Sequence, residues 1–129
     1  MSRETIHTNN APAAIGTYSQ AVAVTSKRAI YISGQIPLDP ESMTIVSEQF
    51  SEQAHQVFKN LSAVATAARG SLADCVKLTI YLTDLNDFQS LNEIMADYFE
   101  TPYPARAAVE VSALPKGVAI EIDAIMAIE

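Results

Sequence analysis

Three charged side chains, Arg106, Glu121 and Asp123, stand inside runs whose pattern otherwise asks for burial. The segment from Pro104 to Val111 alternates strictly: Ala105, Ala107, Val109 and Val111 take one face, and Arg106, Ala108 and Glu110 take the other. Val118 to Ile125 alternates in the same way and carries Glu121 and Asp123 on a shared face. Leu114 to Gly117 between them reads as a turn, which predicts an antiparallel hairpin. In that hairpin Ala108 faces Glu121 and Arg106 faces Asp123, all on one side of the sheet. A guanidinium flanked by methyl-sized alanines, with a carboxylate close by, is the floor of a pocket for a small anion. Taken alone, Arg106 and Glu121 fit a structural cross-strand pair better than a site, and Asp123 opposite Arg106 would compete with any anion.

Composition narrows the chemistry. The 129 residues are enough for one domain, residues 1–129, with a modest core. A net charge of −7 opposes general binding to a phosphate backbone, so no nucleic-acid partner is expected. Gly16, Gly34, Gly70 and Gly117 are isolated, so no glycine-rich phosphate loop is present. Cys75 is alone, which leaves no intrachain disulfide and no thiolate cluster. His7 and His55 lie far apart in no metal-ligand motif, and no metal is expected. No stretch approaches the roughly 18 apolar residues of a membrane span, and no apolar leader opens the chain. The expectation is a cytoplasmic protein without a membrane partner.

The elements that must position these residues follow from periodicity. Tyr18 to Val24 and Ala29 to Ser33 read as strands joined through Thr25 to Arg28 as a hairpin. Gly34 to Pro40 interrupts regular structure. Phe50, Ala54, Val57, Phe58, Leu61, Val64, Ala65 and Ala68 then form one helical stripe, with Ser47 as N-cap and Gly70 as the C-terminal stop. Cys75 to Leu82 returns to strand alternation. A second helix starts at Asp84 or Asp87, buries Phe88, Leu91, Met95, Tyr98 and Phe99, and ends before Thr101-Pro102. The order ββ-α-β-α-ββ predicts an α+β sandwich with both helices on one face of the sheet. The uncovered face, with Arg106, Ala108, Glu121, Ile125 and Tyr31 or Ile30, is too mixed for solvent and predicts burial against another subunit.

Five segments in register then resemble one family. Ala11 to Gln20, Ile32 to Pro37, Leu85 to Phe88, Tyr103 to Arg106, and Leu114 to Lys116 followed by Ile120 to Ile122 are similar to the RidA (YjgF) reactive-intermediate deaminases. The resemblance implies a chorismate-mutase-like fold on a mixed sheet, assembled as a homotrimer whose sheets face the threefold axis, with clefts between adjacent subunits. It implies hydrolysis of small enamine/imine substrates, such as 2-aminoacrylate and 2-iminopropanoate, to 2-keto acids and ammonia, with no cofactor and no metal. Arg106 matches the arginine that holds the substrate carboxylate, and Glu121 the carboxylate that positions water. Tyr18, Ser33 and Asn92 match cleft-lining positions, Gly34 a point of close backbone approach, and the backbone around Ala108 a source of hydrogen bonds to substrate. Four departures stand out: Thr17 where proline is usual, Ala108 where cysteine is frequent, a longer turn near Thr25 to Arg28, and a shortened segment between Phe99 and Pro104. A non-catalytic module binding small carboxylates is the alternative. An endoribonuclease or translation inhibitor is a third, which the acidic balance opposes.

Overall fold

A computed structural model describes residues 2–129. In chain order the elements are β1 (Ser2–Ile6), β2 (Ala21–Thr25), β3 (Arg28–Gln35), α1 (Phe50–Ala67), β4 (Cys75–Leu82), α2 (Phe88–Met95), β5 (Ala105–Glu110) and β6 (Ile120–Ile128). The main sheet runs β3-β6-β4-β5, with β4 and β5 parallel and the other pairs antiparallel. β1 and β2 form a separate antiparallel ribbon. This is the expected α+β fold with two helices and a mixed sheet, extended by an N-terminal strand whose polar sequence gave no strand signal.

Both expected hairpins are replaced by longer-range pairings. β2 pairs with β1, while β3 pairs with β6, so the turn between β2 and β3 joins two sheets. β5 and β6 are separated by β4. The physical reason lies in α2, which supplies the crossover that a parallel β4–β5 pair requires. The chain must then pass the end of β4 to reach its other edge. There Val111 N–H donates to the Leu82 carbonyl at 2.8 Å, and Thr83 N–H donates to the Ala119 carbonyl at 3.2 Å.

The helices cover one face. Ala54, Val57, Phe58, Leu61 and Ala65 of α1 are fully buried, as are Leu78, Ile80, Leu82, Leu91, Ile120, Ile122 and Met126. Val64 alone leaves the expected stripe and is exposed. α1 starts one turn later than Ser47, whose hydroxyl accepts from Gln49 N–H at 3.0 Å. Its end is a Schellman motif. Gly70 N–H donates to the Ala65 carbonyl at 2.9 Å, Arg69 N–H donates to Thr66 at 2.9 Å, and Arg69 itself takes the left-handed position at φ 69°. Gly70 fits for a different reason: a Cβ there would lie 2.8 Å from Asp74 Oδ2 and 2.9 Å from Met126 Cε, so those side-chain ends would have to shift. A register slip between Cys75 and Lys77 turns Cys75 into the core, where burial, reinforced by Asp74, pushes its thiol up to about 12.

Register decides which face each charge takes. Arg106, Ala108 and Glu110 align with Leu78, Ile80 and Leu82 and so share the helix side. Glu121 and Asp123 align with Tyr81 and Thr79 on the open side. Tyr31, 76% exposed, lies opposite Ile125 on that open side, while Ile30 turns toward the helices. Arg106 and Ala108 therefore do not belong to the uncovered face, in contrast to the expectation from a β5–β6 hairpin.

Candidate active site

Arg106 leaves the edge strand β5 and meets three elements at once. Its Nη1 donates to Asn92 Oδ1 on α2 at 2.6 Å and to Thr17 Oγ1 at 2.9 Å, and Met95 Sδ lies 3.6 Å away. The guanidinium carbon sits 4.9 Å from the centre of the Tyr18 ring and 5.2 Å from that of Phe88, within cation–π range of both. Phe88, Asn92 and Met95 fall at helical spacing on one face of α2, so the helix presents an aromatic wall, an acceptor and a sulfur to the same group. The chain passes close to the guanidinium at Gly16, where a Cβ would lie in ordinary contact, 3.4 Å from Nη2 and 3.6 Å from Asn92 Oδ1.

The guanidinium makes its hydrogen bonds through Nη1 and its ring contacts with Tyr18 and Phe88. The edge formed by Nη2 and Nε has no hydrogen-bond partner among the described residues, and neither atom is a buried orphan. That edge is the one that matches a carboxylate in bidentate fashion. Burial lowers the Arg106 pKa, with Tyr18 opposing it, yet from a starting value so high that the group keeps its charge at neutral pH. Asp123 does not neutralise it: Asp123 is on the other face and accepts a 3.0 Å hydrogen bond from the Tyr81 hydroxyl. That bond is the main cause raising the Tyr81 pKa.

The second group of candidates lies on the open face. The β3–β6 register slips between Ile32 and Gln35, which makes a bulge of Ser33 and Gly34, both exposed. The Glu121 carboxylate lies across Gly34 where a side chain would otherwise stand; a Cβ would come within 2.9 Å of Glu121 Cδ. Gly34 thus makes room for a carboxylate of its own chain. Ala108 packs against the core beside Arg106, on a strand whose outer backbone edge is uncovered beyond the Ser19–Ala105 bridge.

The candidates therefore fall into two half-sites. Tyr18, Asn92, Arg106 and Ala108 gather at the β5 edge; Ser33, Gly34 and Glu121 gather at the β3–β6 bulge. Two strand spacings and a three-residue offset in register put the Arg106 and Glu121 Cα atoms about 14 Å apart, with side chains on opposite faces. Sequence reasoning missed Thr17, Phe88 and Met95. For α2 the signal was present, as an asparagine set into an apolar stripe; for Thr17 there was none, because its partners are 75 and 89 residues away. Two concave surfaces, of about 640 and 530 Å³, lie elsewhere; Tyr18 walls the second, but Arg106 and Glu121 line neither. Among the described residues no cluster of His, Cys, Asp and Glu is placed to hold a metal, and no helix is long and apolar enough to cross a membrane.

Known proteins are similar to this chain along nearly its whole length. The human 2-iminobutanoate/2-iminopropanoate deaminase is 50% identical over 123 residues, covering 95% of this chain and 88% of its own. The solved structure of RidA from an Antarctic Psychrobacter is 54% identical with a TM-score of 0.76, covering 97% of this chain and 99% of that one. E. coli TdcF, solved with bound serine, is 39% identical with a TM-score of 0.75, covering 98% and 99%. The family model described as Endoribonuclease L-PSP matches residues 8–128, and the chain belongs to this family, that of the RidA proteins.

Proposed function

We propose that this protein is a cofactor-independent deaminase that hydrolyses 2-imino acids, such as 2-iminopropanoate and 2-iminobutanoate, to 2-keto acids and ammonia. The observation that carries the reading is the Arg106 guanidinium, tied down at Nη1 and within cation–π range of the Tyr18 and Phe88 rings, with its Nη2–Nε edge unpartnered. A small 2-imino acid carries a carboxylate next to its C=N carbon, so bidentate capture of the first fixes the position of the second. The naming of relatives at about 50% identity as imine deaminases supports the same reading.

The missing half of each site comes from another copy of the chain. Arg106 and Glu121 of one protomer stand on opposite faces and cannot hold one small molecule together. Packing of open faces around a threefold axis would bring Glu121 of one subunit to the β5 edge of the next. There it holds a water and takes its proton as the oxygen attacks the imine carbon. The proton passes to nitrogen to give a carbinolamine; its hydroxyl proton then follows to nitrogen as the C–N bond breaks, so that ammonia leaves and the C=O bond closes. An enamine enters the same path after protonation at carbon. A groove walled by two subunits is only a half-open edge in one, in keeping with the absence of Arg106 from the two concave surfaces.

Binding without turnover is the second reading, favoured by the serine held in the related TdcF. RNA cleavage ranks behind both, since the chain carries a net charge of −7. The test is imine decay: an amino-acid oxidase generates the imines, semicarbazide traps them, and added enzyme competes with the trap. Wild type suppresses trapping and Arg106→Ala does not. Equal trapping with and without wild type rejects catalysis, while 2-oxobutanoate binding that needs Arg106 would then establish the binding reading.

A further inference from the structure

The Thr17 hydroxyl stands out as a contact that the deaminase reading does not use. It accepts from Arg106 Nη1 at 2.9 Å and donates to Asn92 Oδ1 at 3.2 Å, while Asn92 Oδ1 also accepts from Nη1 at 2.6 Å. The directions are forced. Arginine has no acceptor, so the hydroxyl proton must go to Asn92, and two incoming donors fix the amide oxygen toward the guanidinium. Thr17 and Asn92 thus supply the two oxygen acceptors of Nη1, with Met95 Sδ 3.6 Å away as a weaker third contact, and the triangle closes on a buried threonine.

The two acceptors belong to separate parts of the fold. Asn92 rides on α2. Thr17 belongs to a segment laid against the start of β5, where Ser19 N–H donates to the Pro104 carbonyl at 3.0 Å and Ser19 Oγ donates to that of Tyr103. One acceptor alone would leave the guanidinium free to turn about that single hydrogen bond. Two acceptors from different elements stop that turn.

We infer that Thr17 is a positioning residue for substrate binding: its hydroxyl orients Arg106 so that the Nη2–Nε edge, not Nη1, meets the carboxylate. The inference rests on the deaminase reading for its kinetic readout. The carboxylate is held alike in ground and transition states, so losing the orientation acts on KM rather than kcat. A hydrogen bond to a charged group is strong enough to move KM on the order of tenfold.

Thr17→Val keeps the shape and removes the hydroxyl; Thr17→Ser keeps the hydroxyl and removes the methyl. The expected result with 2-iminobutanoate is a KM about tenfold higher for Thr17→Val, kcat within about twofold, and Thr17→Ser close to wild type. Val and Ser variants impaired alike, or a Val variant equal to an active wild type, overturns the inference while leaving the deaminase reading standing. If wild type itself does not hydrolyse imines, that reading fails, and calorimetric binding of 2-oxobutanoate decides on Thr17 by the same Val-against-Ser contrast. Should Thr17→Val not fold, Thr17→Ala takes its place in both measurements.

Discussion

At Gly34 the side chain that is absent matters as much as any that is present. The Glu121 carboxylate fills the space over this residue, and that carboxylate is the far end of a flexible chain. Gly34→Ala therefore displaces Glu121 without disturbing the core. The expected outcome is a kcat lower by at least tenfold, with a midpoint of thermal unfolding within about 3 °C of wild type. A retained kcat would show that Glu121 does not act from this position. The sequence revealed the charged residues themselves, because Arg106, Glu121 and Asp123 interrupt apolar alternation. It did not reveal who faces whom: Asp123 turned out to serve Tyr81, and Arg106 turned to Thr17 and Asn92, through contacts no local pattern encodes.

Among the elements, those with strong internal periodicity were legible and their pairings were not. β4 spans Cys75–Leu82 as its alternation indicates, and α1 buries the expected stripe apart from Val64. Hairpins were assumed wherever a polar turn joined two strands, yet both turns carry the chain to a different neighbour. The overlooked signal was a helix between two strands, the mark of a parallel crossover. The end of α1 shows the same limit at finer scale: Gly70 was expected in the left-handed position, but Arg69 occupies it at φ 69°. A non-glycine residue there is disfavoured by about 1–2 kcal/mol, offset partly by the freedom glycine adds to the unfolded chain. Arg69→Gly should stabilise the protein by about 0.5–1 kcal/mol in urea melts, with kinetics unchanged. A lower midpoint would mean that Arg69 makes up its backbone strain through its side chain.

For the whole molecule, the proposed division of the site across the sheet would make assembly a condition of activity. Tyr31, Glu121, Asp123 and Ile125 share a face that no element of the chain covers. A homotrimer closing over it would bury that face and complete each cleft with one half from each of two neighbours. Mixing distinguishes this from a site within one chain. Arg106→Ala and Glu121→Ala subunits, each inactive alone, are unfolded together and refolded as mixed trimers. If the halves belong to different subunits, about a quarter of the clefts regain both residues, and about a quarter of wild-type activity returns. Sites contained in single subunits would return none.

Cys75 sits at the start of the central strand β4, fully buried, with its thiol held up at about 12. At pH 8 a thiol reagent has almost no thiolate to attack and no path to it, so the folded protein is silent to the reagent. Labelling then proceeds only through molecules in which β4 has left the sheet, and its rate reports the population of that open state. A chain with a single sulfhydryl fully buried in an interior strand thus carries its own clock for conformational opening. Run with and without 2-oxobutanoate, that clock weighs how far an occupied cleft holds the sheet closed, and it does so without any measurement of turnover.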